Sequence, residues 1–200
     1  PSSMTSQERA ARILPLLKKA YPQHKTGLKH QDAFQLLVAV ILSAQCTDER
    51  VNIVTKELFR QLKTPKDFAD VPLPKLEKLV YSTGFYRNKA KNIKATAAKV
   101  YHDFHNKVPS SMEELLTLPG VARKTANVVQ QQYFGIISGV TVDTHVGRIS
   151  QRLHLTKNKD PVKIEQDLMK VLPKKDWMMY SDTVIWHGRR VCFAKKPNCA

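Results

Sequence analysis

The 200 residues, 42% of them hydrophobic, are enough for one sizeable core or two smaller ones interleaved along the chain, and too apolar to stay disordered. Lys and Arg number 33 against 17 Asp and Glu, a formal net charge of +16, and a field of that sign draws polyanions or acidic membrane surfaces. No stretch reaches the roughly 18 apolar residues of a membrane span, and the N-terminus lacks the charged-then-apolar order of a signal peptide. The expectation is therefore a soluble intracellular protein with a nucleic-acid partner, ahead of a merely solubilising surface or a ribosomal-type basic protein.

Pro1-Ser2-Ser3 ahead of Met4 reads as a cloning remnant and is left out of the fold reasoning. Beyond it, almost every periodic segment has helical spacing. Gln31 to Gln45 runs without Gly or Pro and holds seven consecutive apolar residues, Leu36 to Leu42. That length exceeds a typical strand, and a helix apolar on all sides belongs in the middle of a bundle. Thr47-Asp48-Glu49 offers a cap and an acidic first turn, after which Val51, Val54, Leu58, Phe59 and Leu62 fall on one stripe. Thr64-Pro65 and Leu73-Pro74 place proline where a helix can start, and Gly84 can close the short helix carrying Leu76, Leu79 and Val80. From Arg87 to Phe104, the residues Ala90, Ile93, Ala97, Val100, Tyr101 and Phe104 turn inward, while Lys91, Lys94 and Lys99 face water or phosphate. Ser110 with Glu113 makes a capping box before Leu115 and Leu116. Ile136 to Val142 is β-branched but short and isolated, and is read as a loop crossing between lobes. The expected class is all-α.

Residues 118 to 129, LPGVARKTANVV, read as a helix end, a Pro-Gly turn and a new helix starting near Arg123. Gly120 permits a positive φ and the close approach of another molecule, while Leu118 and Val121 anchor the turn to the core. The amides of Gly120 and Ala122, with the dipole of the following helix, then suit a phosphate. An ordinary helix-turn-helix corner fits the same residues. Lys124 stands in the first turn of the second helix, where the dipole and the charge of Arg123 both lower a lysine pKa. A neutral amine there can form a Schiff base with a sugar carbon, and a charged one can hold a phosphate. Position alone does not choose. Asp143, in Thr141-Val142-Asp143-Thr144-His145, is placed to cap the helix that includes Val146 and Ile149. A carboxylate fixed that way can also accept a proton or balance positive charge on a deoxyribose.

Taken together, LSAQCTD, TGFYRNKAKNI, LPGVARKTANVV, VDTHVGR and WHGRRVCFAKKPNC resemble, in order and approximate spacing, the endonuclease III group of helix-hairpin-helix DNA glycosylases. The resemblance runs from about Leu36 to Cys199. It implies a two-lobed fold with a DNA-binding cleft between a helical-barrel lobe, residues 26–136, and a second helical lobe, residues 1–25 plus 137–200. It also implies a bifunctional DNA glycosylase and abasic-site lyase of base excision repair. Such an enzyme acts as a monomer on double-stranded DNA with oxidised pyrimidines or abasic sites, with no membrane partner, in the cytoplasm or nucleoid of a bacterium. By that likeness Lys124 is the nucleophile, Asp143 its carboxylate partner across the cleft, Gln45 the residue that fills the vacated space in the duplex, and Phe85 the apolar wedge. A loop aromatic tucked into the core remains an alternative for Phe85. His145 and Arg148 can touch the strand, and can equally cap or bridge helices; Gly120, Ala122 and Arg123 complete the expected DNA-contacting set.

Cys192 and Cys199 close the sequence beside Arg189, Arg190, Lys195 and Lys196. In the resembling group this pair opens a Cys-x6-Cys-x2-Cys-x5-Cys set that holds a [4Fe–4S] cluster, and only two of its four ligands are present here. The other two are expected beyond Ala200; loss of the cluster, or a two-cysteine site completed by zinc or another chain, stays open. Cys46 reads as a buried structural thiol. Three other functions also stay open: a non-catalytic hairpin module that binds DNA by its backbone, a monofunctional glycosylase, and a structural RNA-binding protein. The lysine at 124 speaks against the first two and the motif order against the third.

Overall fold

A computed structural model of the chain describes residues 4–22 and 27–198; the remnant read at Pro1-Ser2-Ser3 and the thiol of Cys199 lie outside them. The chain divides into two compact units, Gly27–Ile136 and Pro1–Thr26 with Ile137–Ala200. All regular structure among the described residues is helical, and no described helix is long and apolar enough to cross a membrane. The first helix, α1 (Ser6–Ala20), starts at a capping box in which Thr5 accepts from the Glu8 amide and the Glu8 carboxylate accepts from Thr5.

In the unit Gly27–Ile136, α2 (Ala33–Leu42) is buried on every side, as its composition requires. It is shorter than the expected Gln31–Gln45. Asp32 stops it at one end by accepting from the Gln35 amide at 2.8 Å, and at the other Ser43 caps it before Gln45 turns to φ 52°. Thr47 caps α3 (Asp48–Gln61), and Thr64 with Asp67 forms a capping box for α4 (Pro65–Asp70). Next come α5 (Leu73–Val80), the 3-10 turn Tyr81–Thr83, and α6 (Tyr86–Asp103), which packs on α4 and α5. Ala90, Ile93, Ala97 and Val100 are fully buried on α6, and Phe104 is half-buried beside them.

Lys91 on α6 is exposed as expected, but Lys94 departs from the pattern. Lys94 does not face phosphate: its amine donates to the carbonyls of Ala69 and Val71 at the end of α4. Lys99 pairs with Asp103 one turn on, at 2.7 Å. The cap of α7 (Met112–Leu115) is Ser111, which accepts from Glu114, one residue later than expected, while the carbonyl of Ser110 accepts from the Gln130 side chain at 2.8 Å. α8 (Arg123–Val129) packs on α2 and runs into a wide π turn, Gln130–Phe134.

The other unit resumes with an irregular segment that forms no strand before α9 (Thr144–Arg152), α10 (Pro161–Val171) and α11 (Trp177–Arg190). Leu14 of α1, Val140, Val146, Ile149, Leu168, Tyr180 and Val184 make its core. A buried phenol needs a partner, and Tyr180 has one in the Ser150 hydroxyl at 2.8 Å. Burial lifts its pKa to about 12. α9 and α11 meet so closely at Gly188 that a Cβ there would lie 2.7 Å from Nδ1 of His145, so the helix contact requires glycine.

Candidate active site and DNA-contacting loops

The hairpin at 118–122 is pinned from below and open above. Leu118 and Val121 are buried, the Val121 amide donates to the Leu118 carbonyl at 3.1 Å, and the Thr96 hydroxyl donates to the Pro119 carbonyl at 2.6 Å. Gly120 sits at φ +74°, and a Cβ built on it would stand 2.7 Å from Cβ of Asn92. The missing Cβ therefore makes room for the chain's own α6. Ala122 is the N-cap of α8 and has no side-chain acceptor to offer. Among the described residues the N–H groups of Gly120 and Ala122 find no protein acceptor. Arg123 is half-buried in the first turn, and Lys124 beside it is exposed.

Two further loops of the same unit each hold an exposed side chain on a left-handed backbone, Gln45 at φ 52° and Phe85 at φ 47°. That conformation costs a non-glycine residue roughly 1–2 kcal/mol, and such strain collects at ligand-binding sites. Phe85 is 69% exposed, which removes the reading of an aromatic tucked into the core. It follows Gly84 at φ 74° and starts α6 without a side-chain cap.

A residue missed in the sequence lies beneath these loops. Lys89 is 5% exposed, and its amine donates to the carbonyls of Leu42 at 2.9 Å and Thr83 at 2.7 Å. Burial holds that amine below the ordinary lysine range, opposed by the nearby Cys46 thiol. The available signal was its place on the apolar face of α6, one turn before Ile93.

In the other unit Asp143 is the N-cap of α9: its Oδ1 accepts from the Val146 amide at 2.8 Å. The half-buried carboxylate has no second protein partner among the described residues. His145 is held against Gly188, and its Nδ1 accepts from the Arg148 guanidinium at 3.1 Å. Arg148 also donates to the carbonyls of Cys192 at 2.9 Å and Gly188 at 3.4 Å, so its NH2 bridges α9 to the end of α11. Arg152, unread in the sequence, donates to Sγ of Cys192 at 3.1 Å and to the carbonyls of Phe193 and Ala194, each at 2.8 Å. Gln45, Phe85, Gly120, Ala122, Arg123 and Lys124 thus fall in one unit, and Asp143, His145, Arg148 and Cys192 in the other.

Comparison with known proteins decides what these loops belong to. Residues 38–174 match the HhH-GPD superfamily of base excision DNA repair proteins. Endonuclease III of Synechocystis sp. is 56% identical over 98% of this chain and 89% of its own length, and that of Bacillus subtilis is 46% identical over 90% and 82%. This chain belongs to the endonuclease III family. Among solved structures, a trapped endonuclease III–DNA covalent intermediate superposes with a TM-score of 0.93 at 42% identity, covering 98% of this chain and 92% of that one. A non-covalent endonuclease III–DNA complex gives 0.92 with the same identity and coverage. A member of the endonuclease III family with this all-helical HhH-GPD fold is a bifunctional DNA glycosylase and abasic-site lyase of base excision repair, and binds DNA.

Endonuclease III membership also points to a [4Fe–4S] cluster, which takes four thiolates. The sequence holds Cys46, Cys192 and Cys199. Cys46 packs in the core of the Gly27–Ile136 unit, and Cys192 is buried under Arg152 in the other. Among the described residues no three metal-ligating side chains gather. These 200 residues do not complete the ligand set.

Proposed function

We propose that Lys124 is the nucleophile and Asp143 the assisting carboxylate of this endonuclease III family member, acting together on one nucleotide flipped out of double-stranded DNA. The Lys124 amine attacks C1′ of the sugar, and the damaged base departs with the glycosidic electron pair and gains a proton. Asp143, held rigid by its cap bond, takes the proton that the amine gives up and balances the positive charge building on the sugar. The C1′–O4′ bond then opens, the nitrogen lone pair forming an iminium at C1′ as O4′ takes up a proton, and this iminium acidifies the C2′ hydrogens. Removal of one expels the 3′ phosphate by β-elimination, and water frees the lysine. This leaves a nick on the 3′ side.

The anchoring loops divide the binding work. The unpartnered amides of Gly120 and Ala122, with Arg123, hold a phosphate beside Lys124, while Gln45 and Phe85 enter the stack where the nucleotide has left. His145 and Arg148 act from the α9 side, Arg148 through its bridge to α11 as well as by charge. The substrates are duplexes carrying oxidised pyrimidines or abasic sites, and the protein works as a monomer. One observation carries the reading above all. An exposed lysine opens the helix after an uncapped hairpin, in a chain 42% identical to an endonuclease III captured covalently on DNA.

The test is a panel of single-lesion duplexes scored separately for base release and strand nicking. Oxidised pyrimidines should give both products at matching rates, and undamaged duplex neither. Base release with no nicking would instead support the monofunctional reading.

A further inference from the structure

We propose that Lys89 is a positioning residue: its amine ties the Gln45 loop to the Phe85 loop, so that both side chains enter the duplex as a single rigid element. The inference rests on the reading of Gln45 and Phe85 as DNA-inserted residues, and adds to it the device that aligns them.

Lys89 is a buried cation whose protein acceptors are two carbonyls and no carboxylate. Taking an ammonium out of water without a counter-charge is expensive, and a leucine would fill the same face of α6 more cheaply. What the amine adds is a link. The Leu42 carbonyl is left over at the end of α2, three residues before Gln45; the Thr83 carbonyl belongs to the turn two residues before Phe85. Both are groups that a helical end leaves in need of a donor, and a charged donor makes the stronger bond. The bridged residues are 47 and 6 positions from Lys89 in sequence, so backbone continuity alone does not align the loops. Three residues beyond one bridged carbonyl and two beyond the other the chain adopts a left-handed residue, φ 52° at Gln45 and φ 47° at Phe85, and shows an exposed side chain. One amine therefore sets the spacing between two strained presentation points.

The experiment compares wild type with Lys89→Met on two substrates. The first is a duplex containing an abasic site with 2-aminopurine as its neighbour, whose fluorescence rises as it unstacks. The second is a single-stranded abasic oligonucleotide, which needs no insertion. The variant should lose about tenfold or more in kcat on the duplex, the equivalent of one charge-assisted hydrogen bond, with the fluorescence rise reduced in step and KM changed much less. Borohydride trapping on the single strand should stay within about twofold of wild type, since Lys124 is untouched. Equal losses on both substrates, or no loss on either, would overturn the link. Failure of the Lys124 chemistry looks different, because wild type itself would then not trap on either DNA.

Lys89→Met can also fail to fold. Phe85→Ala leaves the link in place and is read by hydrogen exchange with a duplex bearing a tetrahydrofuran abasic analogue. Binding should protect residues 43–46 and 81–85 together in wild type, and Phe85→Ala should weaken protection in both loops. Weakening confined to 81–85 would show that the loops act independently and would end the proposal.

Discussion

α8 begins on Ala122, whose methyl group cannot accept a hydrogen bond, whereas α9 begins on Asp143, whose Oδ1 accepts from the Val146 amide at 2.8 Å. The two starts solve the same problem, a helix end with spare donors, in opposite ways. At α9 the need is met within the chain, and the carboxylate becomes a fixed acceptor. At α8 the need is left unmet around Gly120 and Ala122 among the described residues, and in the proposed mechanism a phosphate meets it and brings the sugar to Lys124. A stability optimum would cap both helices. Leaving one open costs about 1 kcal/mol of stability, which the proposed phosphate contact would explain.

The largest effect expected from breaking this contrast is at Lys124. Lys124→Ala should lower strand nicking by at least ~10³-fold, because no other group replaces the amine. The side chain is exposed, so stability should change by no more than about 0.5 kcal/mol; a gel assay beside a melting curve separates the two. Asp143→Asn comes next. Asparagine caps as well as aspartate, so the fold should hold while base excision slows by about 10²- to 10⁴-fold and the Kd for abasic duplex barely moves. A proportional loss of affinity would demote Asp143 to a cap alone.

Transferring the α9 solution to α8 sharpens the contrast further. Ala122→Asp should raise stability by about 1 kcal/mol in thermal unfolding yet weaken DNA binding about tenfold, through occupied donors and repelled phosphate. Its salt dependence should flatten, in a fluorescence-anisotropy titration at several ionic strengths.

The smallest effect concerns another carboxylate, Asp182 in α11, whose buried Oδ2 has no hydrogen-bond partner among the described residues and whose pKa burial lifts to about 7. Because its folded pKa lies above the unfolded value of 3.8, the folded state holds the extra proton between the two. Its contribution therefore favours folding at low pH and is lost progressively as pH rises from about 4 to 7. Asp182→Asn should remove that slope and raise Tm at pH 8 by about 2–4 °C. The gap to wild type should close toward pH 4, measured by calorimetry across the range.

The parts of this architecture written in local chemistry could be read from the chain. Thr47 and Asp143 cap where their hydroxyl and carboxylate suggest, Pro65 stands at the start of α4 as its ring suggests, and the unbroken apolar run of α2 demands its central burial. The features that escaped depend on tertiary partners. Lys94 and Lys89 carry the charge of surface residues, but their amines are taken up by carbonyls from α4, α2 and the Tyr81–Thr83 turn, which no spacing rule locates. Arg148 and Arg152 bind the segment around Cys192, forty residues away and more. The space beside Gly120 is likewise filled by Asn92 of another helix. In the candidate site the hairpin and its lysine were legible because turn and helix start are adjacent in sequence. The support beneath Gln45 and Phe85 was not, because it joins loops forty residues apart.

In the proposed mechanism the amine at position 124 forms the bond to the sugar. The direct measurement is reduction of the reacting complex with borohydride on an abasic duplex, followed by proteolysis and mass mapping of the DNA-modified peptide. The adduct is expected on Lys124 alone. A sugar remnant on any other amine, with Lys124 recovered unmodified, would contradict it.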